Sequence, residues 1–471
     1  MSEAQRVKQA LLAVLRGQPG VAEDPHRPAW HLAPPVGLMN DPNGFIQFNQ
    51  RYVLCYQWNP LACAHGAKFW GQWSSADLVN WRHEPLALAP SEGYESHGCY
   101  SGSAVDNQGE LTLIYTGNVK FDDGQRTAWQ SLATRNAAGD YTKLGPVVAL
   151  PAGYTGHVRD PKVWQHAEQW YMVLGAQDLN LQGKVLLLRS PDLHQWTLLG
   201  EIAGSQLNGL GDFGYMWECP DLFTLGEHSV LLVCPQGLPA ADGRYLNTFQ
   251  SGYFCGTLDY DHHQFSHGEF HELDLGFEFY APQTCLSDDG RRLLIGWMGI
   301  PDEDEFYQPT KAYGWMHTMT CPRELTLRSE RIYQQPAREL QQLRQQQVTL
   351  NARADELPLL AIDSAELELT FNGSFRANFA DTLQLVVEPG GIWLHRNNLR
   401  SGEAEQRQWQ WLGSVHSLRI LCDRSSVEIF INQGEAVMSA RYFPGPQPRL
   451  HFSGGAQIAL HHWRLRQCVI E

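Results

Sequence analysis

Asp41, Asp160 and Glu218 stand in three short motifs, "MNDPNG", "HVRDPKVW" and "WECPDLF", each acidic residue followed within two positions by proline. An ionised carboxylate can attack an electrophilic carbon, and a protonated one can release a leaving group. Carboxylates gathered in one pocket therefore suit cleavage of a glycosidic bond. Taken singly, each motif has a simpler reading. Asn40 to Gly44 is turn chemistry, Glu218 suits a strand-end ion pair, and Asp160 beside Arg159 suits a structural one. Their common setting decides between the readings.

That setting is a repeat. The runs "RYVLCYQW", "LTLIYTG", "QWYMVLG", "HSVLLVC" and "RRLLIGWMG" are centred on Cys55, Ile114, Met172, Leu232 and Ile295, and so recur every 58 to 63 residues. A β-rich period near 60 with turns throughout predicts a five-bladed β-propeller of four strands per blade. "SADLVNW" and "SPDLHQW" share Ser-x-Asp-Leu-x-x-Trp at 115 residues, about two periods. About 14 residues ahead of each centre stand Asp41, Ser101, Asp160, Glu218 and Tyr280, and Pro42, Pro161, Pro220 and Pro282 follow four of them. Proline removes a ladder donor and belongs at strand ends or edges. These positions are expected to end the innermost strands, with Pro42, Asn43 and Gly44 aiming Asp41 into the central channel.

The wider composition agrees with an all-β chain: 43 Gly, 26 Pro, 16 Trp, 17 Tyr and 19 Phe in 471 residues favour short strands and tight turns. Residues 1–27 read as an N-terminal amphipathic helix and lead-in, and 28–332 as the propeller. "YQQPARELQQLRQQQ" suggests a linker helix over 333–349. Runs such as "AELELTF", "SLRILCD" and "SVEIFIN" alternate at period two, as strands of a C-terminal β-sandwich over 350–471 do. The net charge of −16 without a basic block argues against nucleic acid. Ten scattered cysteines without a Cys-x-x-Cys pair read as reduced and mostly buried. His262 with His263, and His461 with His462, lack a third ligand, so no metal and no cofactor is expected. No run approaches the roughly 20 apolar residues of a membrane span, and "MSEAQRVKQALLAVLRGQPG" resembles an amphipathic helix more than a signal peptide, so a cytoplasmic location is expected. Oligomeric state is not readable.

Local environment suggests roles. Trp217 and Cys219 flank Glu218 and would desolvate it, raising its pKa as a general acid requires; Cys219 would act as its local modulator. Asn40, Asn43 and turn amides would keep Asp41 ionised, as a nucleophile needs. Arg159 would hold Asp160 charged. Gln57, Trp58, Trp70, Tyr100, Trp217, Tyr280 and Trp297 would form the wall, rings against sugar faces and amides on hydroxyls.

"WHLAPPVGLMNDPNG", "YQWNP", "YSGSA", "GHVRDPKVW", "WECPDLF" and "SSVEIFINQGEAVMSARYFP", in that order over roughly residues 28 to 465, resemble the motif set of glycoside hydrolase family 32, the invertase and β-fructofuranosidase family. The resemblance implies a five-bladed propeller followed by a β-sandwich, and retaining hydrolysis of β-fructofuranosides without a cofactor. It implies Asp41 as nucleophile, Asp160 as transition-state stabiliser and Glu218 as acid/base. Asn40, Gln57, Trp70, Ser101 and Arg159 fall on positions that contact the fructosyl unit. With Leu38, where many relatives carry Trp, and Tyr100, Tyr280 and Trp297, they make up the expected substrate-binding set. Within the family the chain is most similar to bacterial members that act inside the cell on sucrose phosphorylated during uptake. This implies sucrose 6-phosphate as substrate, with sucrose itself a second one. The alternatives are an enzyme for free sucrose or small fructans, a non-catalytic sugar-binding propeller, and a five-bladed arabinosidase or xylosidase, against which "SVEIFIN" and "NDPNG" speak. No glycine-rich phosphate loop is present, so phosphate recognition would rest on scattered Arg, Lys or His side chains at the rim.

Overall fold

A computed structural model of the chain describes residues 1–410 and 413–468. Its first large unit is a ring of five antiparallel four-stranded meanders. Their inner strands are Gly37–Phe48, Cys99–Asn107, Tyr154–His166, Met216–Leu225 and Tyr280–Leu286, in blades I to V. Each inner strand contacts the next, and the fifth contacts the first, so the ring is closed. The short strand Trp315–Met316 returns from blade V and pairs in parallel with Gly37 and Leu38, tying the last blade to the first.

The repeated strand centres are the second strands of the blades, and their apolar runs are buried on both faces because each blade packs between two others. The Ser-x-Asp-Leu-x-x-Trp repeat is one turn used twice, in blades I and III. Asp77 accepts from the amides of Val79 and Asn80, and Asp192 from those of His194 and Gln195; each motif's tryptophan indole donates to its own leucine carbonyl.

The acidic motifs do not end the inner strands, as expected above; the strands continue through them as β-bulges. Register slips between Met39 and Pro42, between Tyr100 and Gly102, opposite Asp160, between Glu218 and Asp221, and between Tyr280 and Gln283. A bulge leaves one residue outside the ladder and re-aims its side chain, so a proline without an N–H is tolerated mid-strand there. Asp160, Cys219 and Ala281 take left-handed φ values of 68°, 50° and 49° at these bulges.

Residues 333–349 are not the expected linker helix. Blade V runs on to Pro336, a six-residue 3-10 turn covers Arg338–Leu343, and the first sandwich strand is Arg344–Arg353. Two contacts override the helical spacing: Leu340 and Leu343 are buried between the two large units, and the glutamine-rich run pairs with Gln457–Leu465. The sandwich thus begins earlier than 350; of its expected range, 411–412 and 469–471 lie outside the described residues. It consists of two six-stranded sheets around one apolar core. Ser426–Ile431 is buried on both faces: Val427, Ile429 and Ile431 enter that core, while Phe430 packs against Trp30 and Cys321 of the propeller side.

The N-terminal helix, Glu3–Ala22, is closed by a capping box of Ser2 and Gln5. It rests on blade I through Val7 and Ala10, which pack with Phe69 and Ala89. Polar groups weld propeller to sandwich. The fully buried Arg323 reaches Asp274, Gln334, Glu428 and Ser439, and His31 bridges Asp423 and Glu428.

Candidate active site

The five bulges converge at one mouth of the ring on a cavity of about 440 Å³, lined by Asp41, Asp160 and Glu218 together with Asn40, Gln57, Tyr100, Ser101, Arg159, Tyr280 and Trp297. Below them the channel is filled: the space bounded by Pro161, Pro220, Pro282 and Gln283 holds only about 10 Å³, and Lys162 spans it to the Thr284 carbonyl at 2.6 Å. Gln283 ties three blades together there, accepting from the Phe45 amide and donating to the Gly102 carbonyl.

Ser101 donates to Asp41 Oδ2 at 2.6 Å, and Asn40 to Oδ1 at 3.2 Å. The Asp160 amide donates to Thr116, and its Oδ2 accepts from the Cys219 amide at 2.9 Å. The Cys219 sulfur lies 3.6 Å from both Asp41 Oδ2 and Asp160 Oδ2, so the cysteine expected to modulate Glu218 touches the other two acids instead. Burial keeps that thiol protonated, well above its usual range. Glu218 accepts from Arg159 at 2.6 Å on one oxygen, and from Tyr280 at 2.6 Å and Gln236 at 2.9 Å on the other.

These contacts reverse the expected charge pattern. Burial pushes Asp41 upward, against the hydrogen bonds from Ser101 and Asn40 and the Lys68 charge. Burial also lifts Asp160 to about 7, with the charges of Glu218 and Asp41 adding to it and Arg159 opposing. Glu218, equally buried, falls below its ordinary value because the Arg159 charge and the Tyr280 and Arg159 hydrogen bonds outweigh desolvation. Neighbours in the chain misled here: Arg159 follows the bulge of blade III across to blade IV, and the desolvation of Glu218, the largest single effect on it, is outweighed by the Arg159 charge together with the Tyr280 and Arg159 hydrogen bonds.

Leu38 and Trp70, expected to bind substrate, do not line the cavity. Both are fully buried. Trp70 fills the seam between blades I and II, edge-on to Tyr115, and donates its indole N–H to the Tyr100 carbonyl. Trp58 and Trp217 are likewise core, their indoles bonded to Val36 and Phe213.

Sequence reading missed several groups at the site. Lys68, buried, donates to Asn40 and His65, and His65 in turn meets Glu305, 2.7 Å away. Desolvation brings Lys68 down to about 7 despite the charges of Asp41 and Glu305. Gln236 pairs opposite Met216 beside Glu218. A lysine inside the apolar run "AKFWG" and a glutamine closing "LLVCPQ" were the available signals. His97, Lys120 and Arg126 also line the cavity. Among the described residues no cluster of three or more His, Cys, Asp or Glu side chains could hold a metal, and no helix is long and apolar enough to cross a membrane.

A bulged five-bladed ring that presents three hydrogen-bonded carboxylates at its mouth, backed by a β-sandwich, defines a glycoside hydrolase. Residues 31–336 match the Glycosyl hydrolases family 32 N-terminal domain and residues 395–462 the Glycosyl hydrolases family 32 C-terminal domain; the chain belongs to this family. It is 55% identical over 471 residues, all of both chains, to the sucrose-6-phosphate hydrolase of Salmonella typhimurium. Among solved structures it resembles the GH32 β-fructofuranosidase of Bombyx mori, with a TM-score of 0.89 and 34% identity over all of both chains. It also resembles the sucrose-6-phosphate hydrolase of Lactobacillus gasseri, with a TM-score of 0.89 and 29% identity over 97% of this chain and 96% of that one.

Proposed function

We propose that this glycoside hydrolase cleaves sucrose 6-phosphate to glucose 6-phosphate and fructose, and sucrose more slowly, with retention through a covalent fructosyl intermediate. The observation that carries the mechanism is the placing of Asp41, Asp160 and Glu218 at equivalent bulges of blades I, III and IV around one cavity. The name of the 55% identical Salmonella relative supports the substrate.

In this reading Asp41 attacks the anomeric carbon of the fructosyl unit while Glu218 gives its proton to the departing glycosidic oxygen. Water, deprotonated by Glu218, then displaces Asp41. Asp160 faces the positive charge that develops on the sugar ring. In the free enzyme burial raises Asp41, and raises Asp160 to about 7, while the Arg159 charge and its hydrogen bonds lower Glu218 against its own burial, an arrangement that works against protonating Glu218 before substrate binds. Sugar hydroxyls donating to Asp41 and Asp160 favour their ionised forms, and the proton passes to Glu218. The three acids titrate as a unit.

A second reading, free sucrose as the main substrate, draws on the Bombyx mori enzyme, a variant of which is solved in complex with sucrose. Comparing kcat/KM for sucrose and sucrose 6-phosphate separates the two: a preference for the phosphate supports the first reading, and equal values remove the phosphate from it. Release of no reducing sugar from either substrate would overturn both. We also place the enzyme in the cytoplasm, where a sugar phosphorylated on entry would be met.

A further inference from the structure

His97, Lys120 and Arg126 form one wall of the active-site cavity, and all three come from blade II or the loop leading into it. Lys120 and Arg126 are directly paired across the hairpin Glu110–Lys120 and Arg126–Arg135. Like charges placed opposite each other cost stability in a sheet. Among the described residues neither is ion-paired to a carboxylate: Arg126 spends its Nη2 on the Asn118 amide oxygen at 2.5 Å, and its Nε is buried without a partner. In a chain of net charge −16, two adjacent cations without a direct carboxylate ion pair at a substrate cavity call for a ligand that supplies one.

The group is joined to the proton donor. Glu218 accepts from Arg159, Arg159 reaches His157 Nδ1 at 2.8 Å, and Arg126 Nη1 lies 3.3 Å from the same nitrogen. With Nδ1 accepting, His157 stays neutral and its Nε2 carries the hydrogen; burial and the surrounding Arg159, Arg126 and Lys120 charges bring its pKa down to about 4. His97 is fixed in the same tautomer, its Nδ1 accepting from the Lys120 amide at 3.1 Å. The cationic wall therefore lies on the side of Glu218, where the leaving sugar departs. The cavity's other ammonium, Lys68, is buried among Asn40, His65, Asp41 and Glu305 and offers a dianion no open approach.

We infer that Lys120, Arg126 and His97 form a clamp for the phosphate on the 6-position of the leaving glucosyl unit, with no counterpart on the fructosyl side. This rests on the sucrose 6-phosphate reading above. Arg126 supplies a fixed guanidinium charge, Lys120 a mobile point charge and His97 an Nε2–H donor, a set suited to a phosphate dianion.

The test compares wild type, Lys120→Ala and Arg126→Gln on sucrose and on sucrose phosphorylated at the glucosyl or the fructosyl 6-position, with glucose 6-phosphate and glucose as inhibitors. Lys120 is exposed, so its variant keeps the fold. Each substitution is expected to lower kcat/KM for the glucosyl 6-phosphate about 10- to 100-fold more than for sucrose, and to weaken glucose 6-phosphate against glucose as an inhibitor by a similar factor. If wild type prefers the glucosyl phosphate and both variants keep that preference, the clamp is overturned and the substrate reading stands. Preference for the fructosyl phosphate also overturns it. If wild type shows no preference for either phosphate, the substrate reading fails and the clamp with it.

Discussion

Arg159 donates from both Nε and Nη2 to one oxygen of Glu218, at 3.1 and 2.6 Å, although Asp160 is its neighbour in the chain. The guanidinium thus holds the proposed acid ionised in the free enzyme and leaves Asp160 to the amide of Cys219.

Replacing Arg159 by Gln should therefore raise the Glu218 pKa, since removing a nearby cation favours the neutral carboxyl. With ¹³C-labelled glutamate and Glu218→Gln as the assignment control, the Glu218 carboxyl should titrate below the ordinary glutamate value in wild type and above it in the variant. An unchanged titration would mean that Arg159 does not set the charge of Glu218.

Asp41→Asn and Glu218→Gln should each lower kcat by roughly 10³- to 10⁵-fold with the circular-dichroism spectrum unchanged. Asp160→Asn should fold well, because asparagine tolerates the left-handed φ of 68° at that position, and should lose activity through kcat more than KM. Near wild-type kcat in any of the three removes its assigned role.

Stability should decline with alkaline pH through His31. Burial works against its charge, but the hydrogen bonds from its ring to Asp423 and Glu428 raise its pKa from 6.5 to about 9. A group raised on folding contributes fully below its unfolded value and loses that contribution as pH climbs through the folded one. The contribution, roughly 3 kcal/mol, is therefore present at pH 6 and gone above about pH 9. Urea unfolding at several pH values should show this slope in wild type and a flatter one in His31→Gln.

Arg323→Met should destabilise the protein by about 3 to 5 kcal/mol, because it strands Asp274 and Glu428, both fully buried, without their shared cation. Denaturant titration measures it. A loss below about 1 kcal/mol would show that the buried ion pairs between propeller and sandwich contribute little.

The period near 60, the five acidic or polar positions ahead of it and the order of motifs were legible because blades repeat one local problem: an apolar strand packed on both faces, preceded by a strand that must bulge. Local spacing carries that information. The pairing of Arg159 with Glu218 and the exclusion of Trp70 from the cavity were not legible, because each depends on how one blade packs against the next; nor was the gathering of His97, Lys120 and Arg126, which depends on the blade II hairpin and the loop leading into it. Residues 333–349 show the same limit from the other side, where helical spacing yielded to burial of Leu340 and Leu343 and to pairing with a strand more than 100 residues away. Sequence by itself determined the repeated position from which Asp41, Ser101, Asp160, Glu218 and Tyr280 reach the mouth of the propeller. Only the closed ring decided which of them touch, and because contacts across blades act at shorter range than chain neighbours, it also decided which carboxylates are pushed up and which is pulled down.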